Sequence, residues 1–270
     1  MQHFFVKNNQ VESKKIKIDG EDVNHIKNVL RCKIGEKLEI SNLDKPEKYI
    51  VEIIELNNEN IDCNIIESME DNSEAEVEIT IVQGLPKMDK MELIIQKCTE
   101  LGVKEIVPFE LERCIVKLDL KDISKKIARW TSIAEAAVKQ CKRRNITMIN
   151  EVHNIKNIDE IIDKNDLTIL TYEDEKDKGL KDVLNELKYR NLQQELAIYG
   201  GEGTKVNVNS NLKIAIIIGP EGGFTEKEVD ILKKKGAKSV SLGKRILRTE
   251  TVAIAVSSII LYELDNLGEV

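Results

Sequence analysis

The residues best placed to do chemistry are glycines at the ends of apolar runs. Ile214-Ala-Ile-Ile-Ile reads as a buried strand, and it enters Gly219-Pro-Glu-Gly-Gly-Phe-Thr225. Glycines at 219, 222 and 223 permit positive φ and let backbone approach a ligand where a Cβ would stand in the way. The next helix opens with Thr225 and carries Glu228 three positions on, the spacing of a capping box. Ligands of α/β sheets bind at the carboxyl ends of the strands. A single glycine there would mark a plain tight turn. Three of them around Pro220 and Glu221 favour a ligand loop of Gly219, Pro220, Glu221, Gly222 and Gly223.

A second junction of this kind follows. Ser239-Val-Ser-Leu-Gly-Lys-Arg-Ile-Leu-Arg-Thr-Glu-Thr251 is a short strand, a glycine loop and the start of a helix rich in small residues. Lys244, Arg245, Arg248 and Glu250 crowd it, with Ile246 and Leu247 apolar in their midst. That mixture suits a flat uncharged ring with anion contacts beside it, although alone it also fits a solvated basic loop. No GxxxxGK[ST] is present, and Gly200-Gly-Glu-Gly203 does not match GxGxxG. A nucleotide-phosphate cradle and a dinucleotide fold therefore lack their motifs.

A third feature is charge. Residues 125–144 hold seven Lys and Arg side chains against Glu135 alone, in a protein of net charge −7. A basic helix face is ordinarily just solvated, but its concentration in an acidic chain points to a nucleic-acid backbone. Trp130 belongs to that helix's apolar stripe. His3, His25 and His153 lack metal-ligand spacing. The five cysteines include no CxxC, so neither a zinc site nor a disulfide framework is supported, and reduced thiols in a cytoplasmic protein are expected.

These side chains need a scaffold. Hydrophobic residues make up 41% of 270 and charged residues 33%, enough for a sizeable core and against global disorder. Aromatics are 4%, so any base-stacking platform must be small and a nucleic-acid reader built on aromatic rows is disfavoured. The N-terminus lacks a signal peptide's apolar run, and Thr251–Tyr262 is too short to span a bilayer. The first part is strand-rich, at Val6, Ile16–Ile18, Leu38–Ile40, Tyr49–Ile54 and Ile61–Ile66. One helical stretch lies near Glu21–Leu30, and the whole predicts a small β-barrel over residues 1–72. Glu67–Glu76 is acidic, aperiodic and reads as a linker. Residues 73–270 then alternate strand and helix, which predicts an α/β domain with a parallel sheet covered on both faces. Strands are expected at Glu78–Gln83, Glu105–Pro108, Leu167–Thr171, Glu195–Tyr199, Ile214–Ile218 and Ser239–Leu242. Helices are expected at 87–101, 124–142, 178–190, 225–235 and 251–265.

Taken in order, the motifs carry a resemblance. Ile218-Gly-Pro-Glu-Gly-Gly-Phe-Thr225 and Leu242-Gly-Lys-Arg-Ile-Leu-Arg-Thr-Glu-Thr251 resemble the paired C-terminal signatures of the RsmE family. These are SPOUT-class enzymes that methylate uridine N3 in small-subunit ribosomal RNA. His25-Ile-Lys-Asn-Val-Leu-Arg31 with Gly35, Lys90-Met-Glu…Lys97-Cys-Thr-Glu-Leu-Gly102, and Arg129-Trp…Glu135-Ala…Gln140 resemble its upstream motifs, so the likeness covers essentially the whole chain. Two departures are His3, where the family usually has arginine before the aromatic pair, and Val252 where alanine is frequent.

The resemblance implies a PUA-like barrel, a C-terminal trefoil knot, a homodimer and no metal. It implies S-adenosylmethionine held by Leu170, Thr171, Gly219, Pro220, Glu221, Gly222, Gly223, Leu242, Gly243, Ile246 and Leu247. RNA contacts are expected from Arg31, Lys90, Arg129, Lys142, Arg143, Arg144 and Arg245. The uracil imide must lose a proton, so Arg248 is expected to stabilise the developing anion. Glu250 is expected to take the proton, with Glu221 behind it; Glu250 equally suits a helix N-terminus. The competing class is a non-catalytic RNA-binding protein with a degenerate methyltransferase domain.

Overall fold

The computed structural model describes residues 1–199 and 212–267, without the side chains of Leu120 and residues 191–199. The Gly200–Gly203 run lies outside the described residues. The chain divides into two units. One is Met1–Glu74 with Val138–Asn145, the other Ala75–Ala137 with Ile146–Val270.

The first unit holds β1 (Gln2–Val6), β2 (Lys15–Asp19), α1 (Glu21–Asn24), β3 (Lys37–Asn42), β4 (Glu47–Leu56) and β5 (Asn60–Glu70). They form one sheet in the order β1-β3-β4-β5-β2, with β1 parallel to β3 and the other pairs antiparallel. The barrel expected here is thus a five-stranded sheet whose edge strands do not pair with each other. Alternation does the folding: in β2, Ile16 and Ile18 are buried while Lys15, Lys17 and Asp19 face water. They join Phe4, Leu38, Ile40 and Ile53 in the unit's core. A wide helical turn at His25–Val29 continues α1 and buries Ile26. The expected linker begins too early. Glu67–Glu70 is the end of β5, registered on Glu47–Ile50, because backbone pairing with a long partner strand overrides a polar composition.

The second unit contains β6 (Glu78–Gly84), α2 (Lys90–Leu101), β7 (Glu105–Glu110), α3 (Leu120–Cys141), β8 (Met148–Ile149), β9 (His153–Asn154), α4 (Asp159–Ile162), β10 (Leu167–Thr171), α5 (Leu180–Tyr199), β11 (Lys213–Ile218), α6 (Glu226–Lys234), β12 (Lys238–Val240) and α7 (Thr249–Glu263); the last turn of α3 belongs to the first unit. Its strands are all parallel, in the order β12-β10-β11-β6-β7-β8, with β9 also on β7. Parallel strands buried on both faces read as unbroken apolar runs, and Ile214–Ile218 is such a run, each residue at most 1% exposed. Met91, Ile94, Ile95 and Cys98 form the buried stripe of α2.

The strand expected at Glu195–Tyr199 is helix instead, the end of α5. A short apolar run fits either period. Here it follows a helix already nucleated at Leu180, and propagation costs less than a new start. β8, β9 and α4 are too short to leave a periodic trace.

Candidate functional site

β12, β10, β11 and β6 are neighbours in the sheet, and their carboxyl ends open side by side. The loops there enclose a cavity of about 400 Å³. Thr171, Tyr172 and Glu173 enter it from β10, Gly219–Glu221, Gly223 and Phe224 from β11, and Ser241–Arg248 from β12. Lys90, the first residue of α2, and Thr249 and Val252 of α7 complete the lining. The two glycine loops singled out from sequence therefore meet in one place. Of the residues expected to hold a cofactor, Leu170 and Gly222 do not line the cavity. Leu170 is fully buried within β10. Gly222 lies against Arg113, whose Nη1 donates to its carbonyl at 3.1 Å.

Side chains distant in sequence fix the loops. Thr249 Oγ1 donates to the Gly219 carbonyl at 2.7 Å, and Gln83 Nε2 donates to Thr249 Oγ1 at 2.8 Å and to the Gly84 carbonyl at 2.9 Å. Gly84, ending β6, touches the first loop: a Cβ there would stand 2.6 Å from Pro220 N. Gly243 has φ +107°, a conformation few residues other than glycine adopt. Sequence reasoning missed Gln83, Gly84, Tyr172, Glu173 and Thr249. Gln83, Gly84, Tyr172 and Glu173 sit in no recognisable local pattern, and Thr249, although inside the second motif, takes its role from the parallel order of the sheet.

Charge is arranged in two groups. Lys244, Arg245 and Arg248 are exposed along the second loop, Arg248 as the residue that caps α7. On the other side, Lys90 Nζ lies 2.9 Å from Glu221 Oε1 and 3.4 Å from Glu250 Oε2. Glu221 also accepts from the Lys87 backbone N–H at 3.1 Å. Burial works against the charge of Glu221, but hydrogen bonds from Lys90 and from the backbone outweigh it and hold the carboxyl below its usual range. The hydrogen bond to Glu221, with the charge of Glu250, raises Lys90 above the ordinary lysine value.

The residues expected to touch RNA are placed differently from one another. Arg31 is exposed at φ 57°, and Arg245 is exposed in the cavity loop. Arg129 is exposed and paired with Glu92 at 2.7 Å. Lys90 faces the cavity, as above. Within the first unit Lys142 is paired with Glu39 at 2.6 Å, and Arg144 is half-buried. Arg143 is only 5% exposed, with Nη2 2.7 Å from Glu74 Oε2. A guanidinium so placed is committed to folding, which corrects its reading as a surface phosphate contact. His3, which stands where the family usually has arginine, is also buried. Its Nε2 lies 3.0 Å from Ser41 Oγ, which donates to Asp71 Oδ2 at 2.8 Å.

A cavity of this volume, with glycine backbone, Leu242, Leu247 and Val252 on its walls and no phosphate motif, fits an adenosyl-sized group held through backbone atoms. Residues 73–261 match the family model described as an RNA methyltransferase domain, and residues 18–66 match the RNA methyltransferase PUA domain. Fold and site together thus define a PUA-containing RNA methyltransferase class. The chain is 33% identical to the ribosomal RNA small subunit methyltransferase E of Bacillus subtilis, over 99% of this chain and 98% of the other. The protein belongs to the ribosomal RNA small subunit methyltransferase E family. Among solved structures, that of the family member from Neisseria gonorrhoeae bound to S-adenosyl methionine superposes with a TM-score of 0.74 at 26% identity, covering 97% of each chain. A methyltransferase from Legionella pneumophila in complex with bound cofactor SAM gives 0.75 at 27%, covering 96% of each. No helix among the described residues is long and apolar enough to cross a membrane.

Proposed function

We propose that the protein uses S-adenosylmethionine to methylate N3 of a uridine in small-subunit ribosomal RNA, in the cytoplasm. The observation that supports this most is the single cavity formed by two glycine loops, tied by Thr249, in a chain whose Neisseria relative is described with S-adenosyl methionine. Thr171, Gly219, Pro220, Glu221, Gly223, Leu242, Gly243, Ile246 and Leu247 would hold the cofactor. Bound there, it supplies an electrophilic methyl group on a sulfonium.

The chain's own residues do the rest. Arg248 places positive charge beside the uracil oxygens, where negative charge gathers as N3 loses its proton. Glu250 accepts that proton. The target base must leave its stack to reach them. Arg31, Arg129, Lys142, Arg144 and Arg245 hold RNA phosphates, and residues 1–72 act as an RNA-binding PUA-like unit. The C-terminal trefoil knot and the homodimer belong to the same reading; sedimentation of the purified protein tests the dimer.

Calorimetry with S-adenosylmethionine tests the proposal first, with micromolar affinity expected. Mass mapping of ribosomal RNA from a deletion strain should then show one uridine that has lost a methyl group. Absence of cofactor binding would leave the non-catalytic RNA-binding reading.

A further inference from the structure

Beside the cavity lies a smaller pocket of about 250 Å³. Leu85, Met88, Met91, Val116, Leu118 and Trp130 give it apolar walls, drawn from the loops after β6 and β7 and from α2 and α3. Cavity and pocket share a segment of chain. Lys90 lines the cavity, and its neighbours Asp89 and Met91 line the pocket. The Lys87 N–H and Lys90 Nζ pin that segment to Glu221 of the first glycine loop, at 3.1 and 2.9 Å. Met88 is 89% exposed at φ 53°, an uncommon and costly conformation for a residue other than glycine. An apolar side chain held in water by a strained backbone marks a place that something else covers.

Charge indicates what that is. The rim of the pocket carries Lys126, Arg129, Asp89 and Glu92. Arg129 and Glu92 pair at 2.7 Å and cancel. Lys126 pairs with no carboxylate among the described residues, and its Nζ lies 5.9 Å from the centre of the Trp130 ring. Lys121 and Lys125 are exposed on the same helix. A partner with flat apolar faces and negative charge between them answers this arrangement, and a single RNA strand is built that way.

We propose that the pocket receives a nucleobase next to the target uridine in the substrate RNA, while Lys126 holds a phosphate of the same strand. The proposal rests on the methyltransferase reading above. The target base must leave its stack to reach the cofactor, and a neighbour drawn out with it loses its own stacking. The apolar walls, with the small exposed part of Trp130, replace that stacking. Asp89 at the rim offers an acceptor to the N–H groups of the base. The pocket thus stabilises the opened strand and selects the uridine by what stands beside it.

Trp130 is the only tryptophan of the chain, so its emission reports this pocket alone. The probe is a ribosomal RNA fragment containing the uridine that mass mapping identifies, with matched fragments abasic on one side of it or the other. Bound to the full chain with S-adenosylmethionine, the intact fragment should shift the Trp130 emission. One abasic fragment should bind about tenfold more weakly and leave the emission as in the free protein. Leu118→Phe fills the pocket with an apolar ring. It should weaken the intact fragment by a similar factor, leave that abasic fragment unaffected and keep cofactor affinity. Lys126→Glu, at an exposed position, should weaken every fragment and flatten the salt dependence. Unmoved emission with the intact fragment bound overturns the proposal, as does a shift kept in full by both abasic fragments. Leu118→Phe weakening intact and abasic fragments alike, or an unaltered salt slope in Lys126→Glu, would do the same. Emission that moves with protein concentration in the absence of RNA would place a second copy of the chain in the pocket instead. Methylation of the intact fragment by the parent is read in parallel. No transfer means that the methyltransferase reading has failed, whereas transfer with unmoved emission sinks the base pocket alone.

Discussion

His3 is a base that the fold keeps uncharged. Burial is the main cause, and it lowers the imidazole from 6.5 to about 4 against the opposing pull of Glu39 and Asp71. The unfolded chain binds the proton more readily, so His3 contributes stability that is full above about pH 6.5 and is lost as pH falls toward about 4. The loss is up to about 3 kcal/mol, by the free-energy equivalent of such a shift. Urea unfolding at pH 7.5 and 5 should show this decline in the parent protein and a flatter one in His3→Gln; parallel declines would remove His3 as the cause. Arg248 carries a different prediction. Arg248→Ala should slow single-turnover methyl transfer about a hundredfold, the size of one lost anion-stabilising donor. The rate should recover in part as pH rises, and Arg248→Lys should keep part of it. A normal rate at saturating RNA would show that Arg248 only grips phosphate. Residue types at strand–loop junctions were legible in the sequence because glycine and capping chemistry are local. The fates of Lys90 and Arg143 were not, because Glu221 and Glu74 lie far from them along the chain.

Elements reach their partners through sheet order, and β6 shows what that order adds. β6 lies next to β11, so Gly84 meets the Gly219–Pro220 backbone although 135 positions separate Gly84 from Gly219. Nothing near Gly84 in sequence announces that approach. Gly84→Ala inserts a methyl group where 2.6 Å is available to Pro220 N, so the loop must shift. Overpacking of this kind typically costs about 1–3 kcal/mol. Cofactor affinity should fall by about tenfold if half of that strain falls on the bound loop. Calorimetry and a melting curve on the variant check both effects, and unaltered affinity would place the strain elsewhere. The alternation of strand and helix, by contrast, was readable from period alone, because parallel strands with both faces covered cannot hide their apolar runs. The end of α5 was misread for the reverse reason: Glu195–Tyr199 has too few residues to separate the two periods, and its state was set by the helix before it.

At the scale of the whole molecule, the cavity lies in one unit while the basic run of residues 125–144 is shared between two. Every residue lining the cavity belongs to the second unit. The end of the basic run does not: Val138–Asn145 belongs to the first, where Lys139 pairs with Asp22 at 2.7 Å and Lys142 with Glu39 at 2.6 Å. A boundary drawn from composition near residue 72 could not anticipate this return, since a helix shows no period change where its packing partner changes. The division makes a truncation informative. A fragment of residues 75–270 keeps the whole cavity, so its affinity for S-adenosylmethionine should stay within about twofold of the full chain, as expected for independent sites. The same fragment strips Lys139 and Lys142 of their carboxylates and Val138–Asn145 of its unit. Trypsin should therefore cut after those lysines faster than in the full chain, and ribosomal RNA should be methylated poorly even at saturating cofactor. Methylation at the full rate would remove the first unit from RNA recognition. Lost cofactor binding in a fragment that still melts cooperatively would show that the cavity needs the first unit to hold its shape. With cofactor binding kept and methylation lost, RNA capture belongs to the first unit and methyl transfer to the second.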